Sequence, residues 1–336
     1  MQMSVRDWFE QRSFHHQDFS GLAGSGAVRR HPAVTLILPA REVAGTIGSI
    51  LDTVARLNER SGLVDQVLVV DADSADGTAD VARAYGAEVY SENELLPEYG
   101  PAQGKGDAMW RALSVARGDI VMFADADTRD FGEHFVYGTL GPLLMVPGVQ
   151  FSKAAYRRPY TSAEQSVADG GGRVTELMAK PLLNFFFPGL TGFVQPLAGE
   201  FAASRDLLRR IPFLTGYGVE IAILIDVLGA AGLPAMAQVD LGSRQNRHQP
   251  LWDLTRMSSA VLRALARRVS DAVPAPRTPG PWGSPGPETY LHAVATKDGL
   301  RLDEHLTDLL ERPPVAQILT AEIPAKILRL PQFGGQ

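Results

Sequence analysis

Residues 120–127 read Ile-Val-Met-Phe-Ala-Asp-Ala-Asp. The apolar run reads as a short buried strand, and the carboxylates of Asp125 and Asp127 follow where the chain leaves it. Two carboxylates at i and i+2 just past a strand can turn toward one ligand. Their hard oxygens suit Mg²⁺ or Mn²⁺, and such an ion can neutralise a diphosphate leaving group. A solvated turn is the plainer reading of an isolated Asp-x-Asp, so the surroundings decide. Upstream, Lys105 to Ala116 has helical periodicity, Ala87 to Tyr90 reads as a short strand and Thr78 to Tyr85 as a helix. Val64 to Val70 is a β-branched run ending at Asp71, Thr46 to Leu57 is helical, and Val34 to Leu38 reads as a strand ended by Pro39. Strands alternating with helices imply an α/β fold with a mostly parallel, Rossmann-like central sheet. In such sheets ligands gather at the carboxyl ends of the strands.

Composition narrows the chemistry. The 336 residues suit one large α/β domain with an α-rich C-terminal extension, and a 45% hydrophobic content supports a sizeable core. The net charge of −6 argues against general nucleic-acid binding. With no cysteine, structural disulfides, thiolate metal sites and thiol nucleophiles are excluded. The first residues carry acids and no apolar core of a signal peptide, so the cytoplasm is the default. The longest apolar stretch, Val219 to Ala237, is interrupted by Glu220, Asp226 and Pro234 and reads as a buried helix, not a membrane insertion. An amphipathic helix from Leu251 to about Val269 precedes a Pro-, Gly- and Ser-rich stretch at 272–287. The tail from Tyr290 could pack on a partner subunit.

Further clusters carry chemistry. In Gly104-Lys105-Gly106 a lysine between glycines can approach a phosphate closely, although the Walker A spacing is absent. Asp71 stands at a strand tip where it could face a nucleotide base, while Asp76 and Thr78 can cap the next helix. Pro39-Ala40-Arg41-Glu42 ends the first strand in the same layer. Gly170-Gly171-Gly172-Arg173-Val174-Thr175 precedes a helix, and backbone N–H groups beside an arginine make an anion site or simply a glycine turn. Glu220, in an apolar helix, needs a partner or a function. In Arg244-Gln245-Asn246-Arg247-His248, His248 is a candidate metal ligand.

Taken in order, PAREVAGTIG, VVDADSADGT, GKGDAMW, ADAD, GGGRVTEL, VQPLAGEFAASRDLL and GYGVEIAILID resemble the actinobacterial glucosyl-3-phosphoglycerate synthases and the related bacterial mannosyl-3-phosphoglycerate synthases. The resemblance covers roughly residues 33 to 260. It implies a retaining, metal-dependent GT-A glycosyltransferase, typically a homodimer, with UDP-glucose (or GDP-glucose) as donor and 3-phosphoglycerate as acceptor. Pro39, Ala40, Arg41, Glu42, Asp71 and Ala72 would then line the uridine pocket, and Lys105 would meet the diphosphate. Asp125, with Ala126, would touch the ribose or the metal, and Asp127 would be the main metal carboxylate. Gly172, Arg173, Val174 and Thr175 would cradle the acceptor. Tyr217 and Glu220 would sit near the transferring sugar.

Two segments depart from the family. Its first motif usually reads Pro-Ala-Leu-Asn-Glu-Glu, where this chain has Arg41, Glu42 and Val43. Its late His-Arg-Asn run is Asn246-Arg247-His248 here, so either His248 or Asn246 completes the metal site, Asn246 otherwise meeting the acceptor. The chain divides into an N-terminal arm (1–32), a nucleotide-sugar-binding half (33–150), an acceptor-binding half (151–271) and a Pro-rich loop and tail (272–336). Competing readings are a GDP-mannose-dependent enzyme, an inverting transferase with a lipid-phosphate acceptor, a sugar nucleotidyltransferase, and a non-catalytic sugar-nucleotide-binding protein.

Overall fold

The computed structural model describes residues 3–24, 32–161, 166–167, 171–244, 251–272, 289–296, 299–306 and 310–320. Its centre is an eight-stranded sheet. The strands are β1 (Ser13–His15), β2 (Val34–Ala40), β3 (Gln66–Asp71), β4 (Glu88–Ser91), β5 (Ile120–Phe123), β6 (Phe151–Arg157), β7 (Phe201–Ser204) and, beyond the short β8 (Phe213–Leu214) outside the sheet, β9 (Met236–Ser243). Their spatial order is β1-β9-β6-β7-β5-β2-β3-β4. All neighbours run parallel except at β7, which is antiparallel to both β5 and β6. Two apolar clusters fill the two faces of the sheet, one around Phe123, Phe151 and Phe201 and the other around Leu36, Leu38 and Met122.

The helices follow from their patterns. In α2 (Ala44–Ser61) the buried Ile47, Ile50, Leu51, Val54 and Leu57 repeat at helical spacing. Gly62, at φ 62°, closes it with its N–H on the Asn58 carbonyl. Helices α3 (Thr78–Ala84), α4 (Lys105–Ala112) and α5 (Glu133–Met145) complete the first half. In the second half, Gly172 takes φ 71° before a helical segment whose first turn is π-helical, Thr175–Ala179, continuing as α6 (Lys180–Phe186). After α7 (Arg205–Arg210) comes α8 (Val219–Ala231), apolar on nearly all sides and buried, as its composition implies. The long α9 (Leu251–Ala272) follows. No helix among the described residues is long and apolar enough to cross a membrane.

The structure corrects several expected boundaries. Strand β2 does not end before Pro39 but continues to Ala40, with Pro39 opposite Val70. Strand β5 accompanies β2 only as far as Ile37, so beyond that point a missing N–H need not cost a ladder bond on that side. Helix α4 stops at Ala112 rather than Ala116, and β3 starts at Gln66 rather than Val64. The N-terminal segment is built into the fold. Helix α1 (Val5–Arg12) and β1 lie along β9, and the buried Trp8 indole donates to the Met236 carbonyl at 2.8 Å. Near the other end, β10 (Glu311–Arg312) pairs antiparallel with β8 of its own chain and leads into α10 (Val315–Thr320). Residues 273–288, which include most of the Pro-rich stretch, lie outside the described residues.

Candidate active site

The carboxyl ends of β2, β3 and β5 lie side by side. Ala40 at the tip of β2 accepts the Ala72 amide at 2.9 Å, which ties it to the end of β3. Glu42, at φ 52°, donates its backbone N–H to Ser74 Oγ and receives the Ala75 amide on its carboxylate, both at 2.9 Å. Its side chain therefore knits the two strand-end loops together, while Arg41 is exposed. Asp71 is 5% exposed, and its Oδ2 accepts the Ser74 amide at 3.0 Å. Its Oδ1 is buried without a hydrogen-bond partner. A buried acceptor in that state wants a donor.

Past β5 the chain presents Asp125, Ala126 and Asp127, and only the two acids differ in their surroundings. Ala126 is buried, and its carbonyl accepts from Thr46 Oγ1 at 2.7 Å, which anchors the turn to α2. Asp125 is gripped from both sides. Lys105, the first residue of α4, donates to its Oδ1, and Arg244 to its Oδ2 at 2.9 Å. Gly199 packs against it so closely that a Cβ there would lie 2.2 Å from Asp125 Oδ1. Burial pushes the Asp125 carboxyl up, but the two cations overcome it and hold the group well below the usual carboxylate range. Asp127 has a side chain 60% exposed and meets Arg244 only at 3.4 Å. Partial burial and the adjacent Asp125 charge raise its pKa, so a cation placed there would be welcome.

Lys105 also bonds Glu220 Oε1 at 2.7 Å, in the first turn of α8. Burial opposes the ammonium, yet the two carboxylates raise its pKa well above the ordinary lysine value. Gly104 and Gly106 flank it for a reason. A Cβ on Gly106 would lie 2.0 Å from the Leu214 carbonyl oxygen, and Gly104 abuts Gly216 at φ 75°. Tyr217, in the next turn, is 56% exposed.

Several members of the site were not singled out from the sequence. Arg244 is buried and central. Besides the two aspartates it donates to Tyr156 Oη at 2.9 Å and to Glu200 Oε2 at 2.8 Å, and Tyr156 donates to Glu200 at 3.0 Å. Burial raises the Glu200 pKa against the pull of Arg244. Lys153, 1% exposed on β6, donates to the Ala198 carbonyl at 2.8 Å, and burial brings its pKa down to about 8. The signal was present in Lys153 within a buried strand and in Gly199-Glu200 before another, because an ionisable group inside an apolar run requires a partner.

In the glycine-rich segment, Gly172 and Arg173 are half-buried, while Val174 and Thr175 are buried. Gly171 donates to the Arg158 carbonyl at 2.9 Å, which fixes the turn beside β6. Gly170, Asn246 and His248 lie outside the described residues. Among the described residues, no cluster of three or more acidic or histidine groups converges as a complete metal cage.

The profile of glycosyl transferase family 2 matches residues 35–135, the stretch that carries β2 to β5 and the Asp-x-Asp turn. The glucosyl-3-phosphoglycerate synthase of Mycolicibacterium paratuberculosis is 43% identical over 264 residues, covering 78% of this chain and 79% of that protein. The chain belongs to the glucosyl-3-phosphoglycerate synthase family. As a member it is a hexosyltransferase with a GT-A fold. The crystal structure of mannosyl-3-phosphoglycerate synthase from Rubrobacter xylanophilus superposes with a TM-score of 0.84 at 56% identity, over 94% of this chain and 99% of that one. The glucosyl-3-phosphoglycerate synthase of Mycobacterium tuberculosis, solved with Mn²⁺, UDP and glucosyl-3-phosphoglycerate, gives 0.73 at 35% identity, over 94% and 96%.

Proposed function

We propose that this enzyme transfers a hexose from a nucleoside diphosphate sugar to 3-phosphoglycerate with retention of anomeric configuration, glucose from UDP-glucose being the first reading. The observation that carries it is the Lys105–Asp125–Glu220 cluster beside the exposed Asp127, on a chain 43% identical to a glucosyl-3-phosphoglycerate synthase. The donor set fits a divalent ion: hard carboxylate oxygens, one of them on a largely exposed side chain whose pKa is raised by partial burial and by the neighbouring Asp125 charge. Asp127 would hold Mg²⁺ or Mn²⁺, with His248 or Asn246 as the further ligand, and the ion would neutralise charge on the leaving diphosphate.

The chain's own residues supply the rest. Asp71 Oδ1, buried and unpartnered at the end of β3, would accept an N–H from the donor base. Pro39 and Ala40 would line that pocket with Ala72, while Glu42 shapes its loop through Ala75 and Arg41 faces outward. Lys105 would offset negative charge on the diphosphate. Gly172, Arg173 and the amides of Val174 and Thr175 would receive the acceptor's phosphate and carboxylate, at the start of a helix whose π-turn is a frequent mark of a binding segment. Tyr217 would cover the sugar. Glu220, buried and bonded to Lys105, suits a positioning role better than a nucleophile's, because its carboxylate is already engaged. A homodimer in the cytoplasm belongs to the same reading.

One observation favours a second donor. The 56% identity to the Rubrobacter enzyme, over nearly the whole chain, supports mannose from GDP-mannose. The deciding experiment offers UDP-glucose, GDP-glucose and GDP-mannose, each with 3-phosphoglycerate or glycerate, with and without Mg²⁺. Metal-dependent transfer to 3-phosphoglycerate is expected, and the best donor fixes the hexose. No transfer to 3-phosphoglycerate from any donor would overturn the acceptor assignment.

A further inference from the structure

Strand β10 sits far along the chain from the chemistry, yet Arg312 reaches α4 directly and Glu311 reaches α8 through Arg268 of α9. Successive side chains on a strand point to opposite sides. Arg312, 7% exposed, turns toward α4. It clamps the fully buried Asp107 with Nε to Oδ1 at 2.9 Å and Nη2 to Oδ2 at 2.6 Å, and its Nη1 bonds the Tyr99 carbonyl at 3.1 Å. The guanidinium lies near the rings of Tyr99 and Trp110, at 5.8 and 5.5 Å. Trp110 in turn donates to the Pro313 carbonyl at 2.7 Å. Glu311 meets Arg268 of α9 at 2.5 Å, and Arg268 grips Asp226 of α8 at 2.6 Å.

The two helices thus tied are the ones that carry Lys105 and Glu220. Asp107 is two residues after Lys105, in the first turn of α4, and also accepts the Gln103 amide at 2.9 Å. Arg111, fully buried, contacts Asp107 and donates to the carbonyls of Leu95 and Gly100, so the loop before α4 hangs from the same hub. On the other side, Thr215 and Leu310 exchange bonds at 2.9 and 3.0 Å just before Tyr217 and Glu220. The contact of Gly106 with Leu214 leaves no slack between α4 and β8.

We infer that residues 310–313 form a strap that sets the Lys105–Glu220 spacing, and that Arg312 is a positioning residue for transfer, acting through Asp107. The inference rests on the proposed reading of Lys105 as the group that meets the donor diphosphate. A small displacement of such a group from a distance can cost about 100-fold in rate.

The test compares wild type, Arg312→Ala, Arg312→Lys and Val315→Ala for kcat, for KM of both substrates and for melting temperature. Val315, buried at the start of α10 just beyond the strap, has an apolar side chain that cannot hydrogen-bond Asp107, so it controls for stability alone. Arg312→Ala should lower kcat about 10- to 100-fold with little change in acceptor KM. Added guanidinium, too dilute to unfold the protein, should restore part of the loss. Arg312→Lys, which cannot reproduce the two-pronged contact, should fall between. Val315→Ala should melt lower and keep its kcat. Should Arg312→Ala not fold, the pair Asp107→Asn with Arg312→Gln removes both charges and carries the same expectation. Unchanged kcat in the folded Arg312 variant, or an equal kcat loss in Val315→Ala, would overturn the strap. Wild type is the reference: its failure to transfer would count against the proposed function, while active wild type with an indifferent Arg312 counts against this inference.

Discussion

Arg244 and Asp127 show what one residue's surroundings decide. In sequence, Arg244 opens a polar, basic run and looks like a surface cation. In the fold it is buried among Asp125, Glu200 and Tyr156. Nothing local distinguishes the two cases, because burial of that guanidinium depends on β6 and β7 arriving from elsewhere in the chain. The position of Asp127 was legible, because its place after an apolar strand is a local fact. It makes one loose contact, so Asp127→Ala should leave the melting temperature nearly unchanged while transfer falls by about 100-fold or more. Retention of near-wild-type kcat/KM in that variant would remove Asp127 from the mechanism. Lys153 gives a pH-dependent test. Its pKa is about 8 in the fold against an ordinary 10.5, so the unfolded chain binds more protons between those values and stability must rise with pH there. Below about pH 8 the lysine is charged in both states and carries its full burial cost. Relative to Lys153→Met, wild type should gain about 3 kcal/mol between pH 8 and 10.5, at 1.36 kcal/mol per pH unit. Denaturant unfolding of both proteins across that range checks it, and a flat difference would mean the lysine titrates normally.

Elements were readable where periodicity was strong and lost where it was short. Strands β2, β3 and β5 are dense in Val, Ile and Leu and announce themselves. Strand β7, Phe-Ala-Ala-Ser, has little intrinsic strand preference and is held by β5 and β6 on either side. Strand β1 is three residues long and exists because β9 needs a neighbour. The antiparallel insertion at β7 therefore could not be read from local pattern, although it delivers Gly199 and Glu200 to the site. Close approach of elements has the same character. Helix propensity alone would make Gly106→Ala favourable by about 1 kcal/mol. A Cβ 2.0 Å from a backbone carbonyl oxygen reverses the sign, since backbone cannot swing aside as a side chain can. Gly106→Ala should cost about 1–3 kcal/mol in urea unfolding and should also lower kcat by tilting Lys105. Stabilisation instead would show that the first turn of α4 relaxes freely.

At the scale of the molecule, the N-terminal segment guards a sheet edge that would otherwise be open. Strand β9 pairs with β6 on one side, and β1 takes its other side at Gln238–Asp240, shortening the edge left open there. Trp8 fixes this arrangement: fully buried, 4.5 Å from the Phe193 ring, with a Cβ on Gly192 excluded at 2.8 Å from its own ring. Trp8→Ala should cost about 3–5 kcal/mol, the usual range for emptying an aromatic site in a core. Trp8→Phe should cost less, about 1–3 kcal/mol, chiefly for the Met236 carbonyl left without its donor. Neither change touches Lys105, Asp125 or Glu220, so kcat measured well below the melting temperature should match wild type in both. Yet β9 runs directly into Arg244. A loss of kcat in a still-folded Trp8 variant would therefore mean that the edge strand transmits its position to that arginine, and that the N-terminal segment tunes the site as well as sealing the sheet.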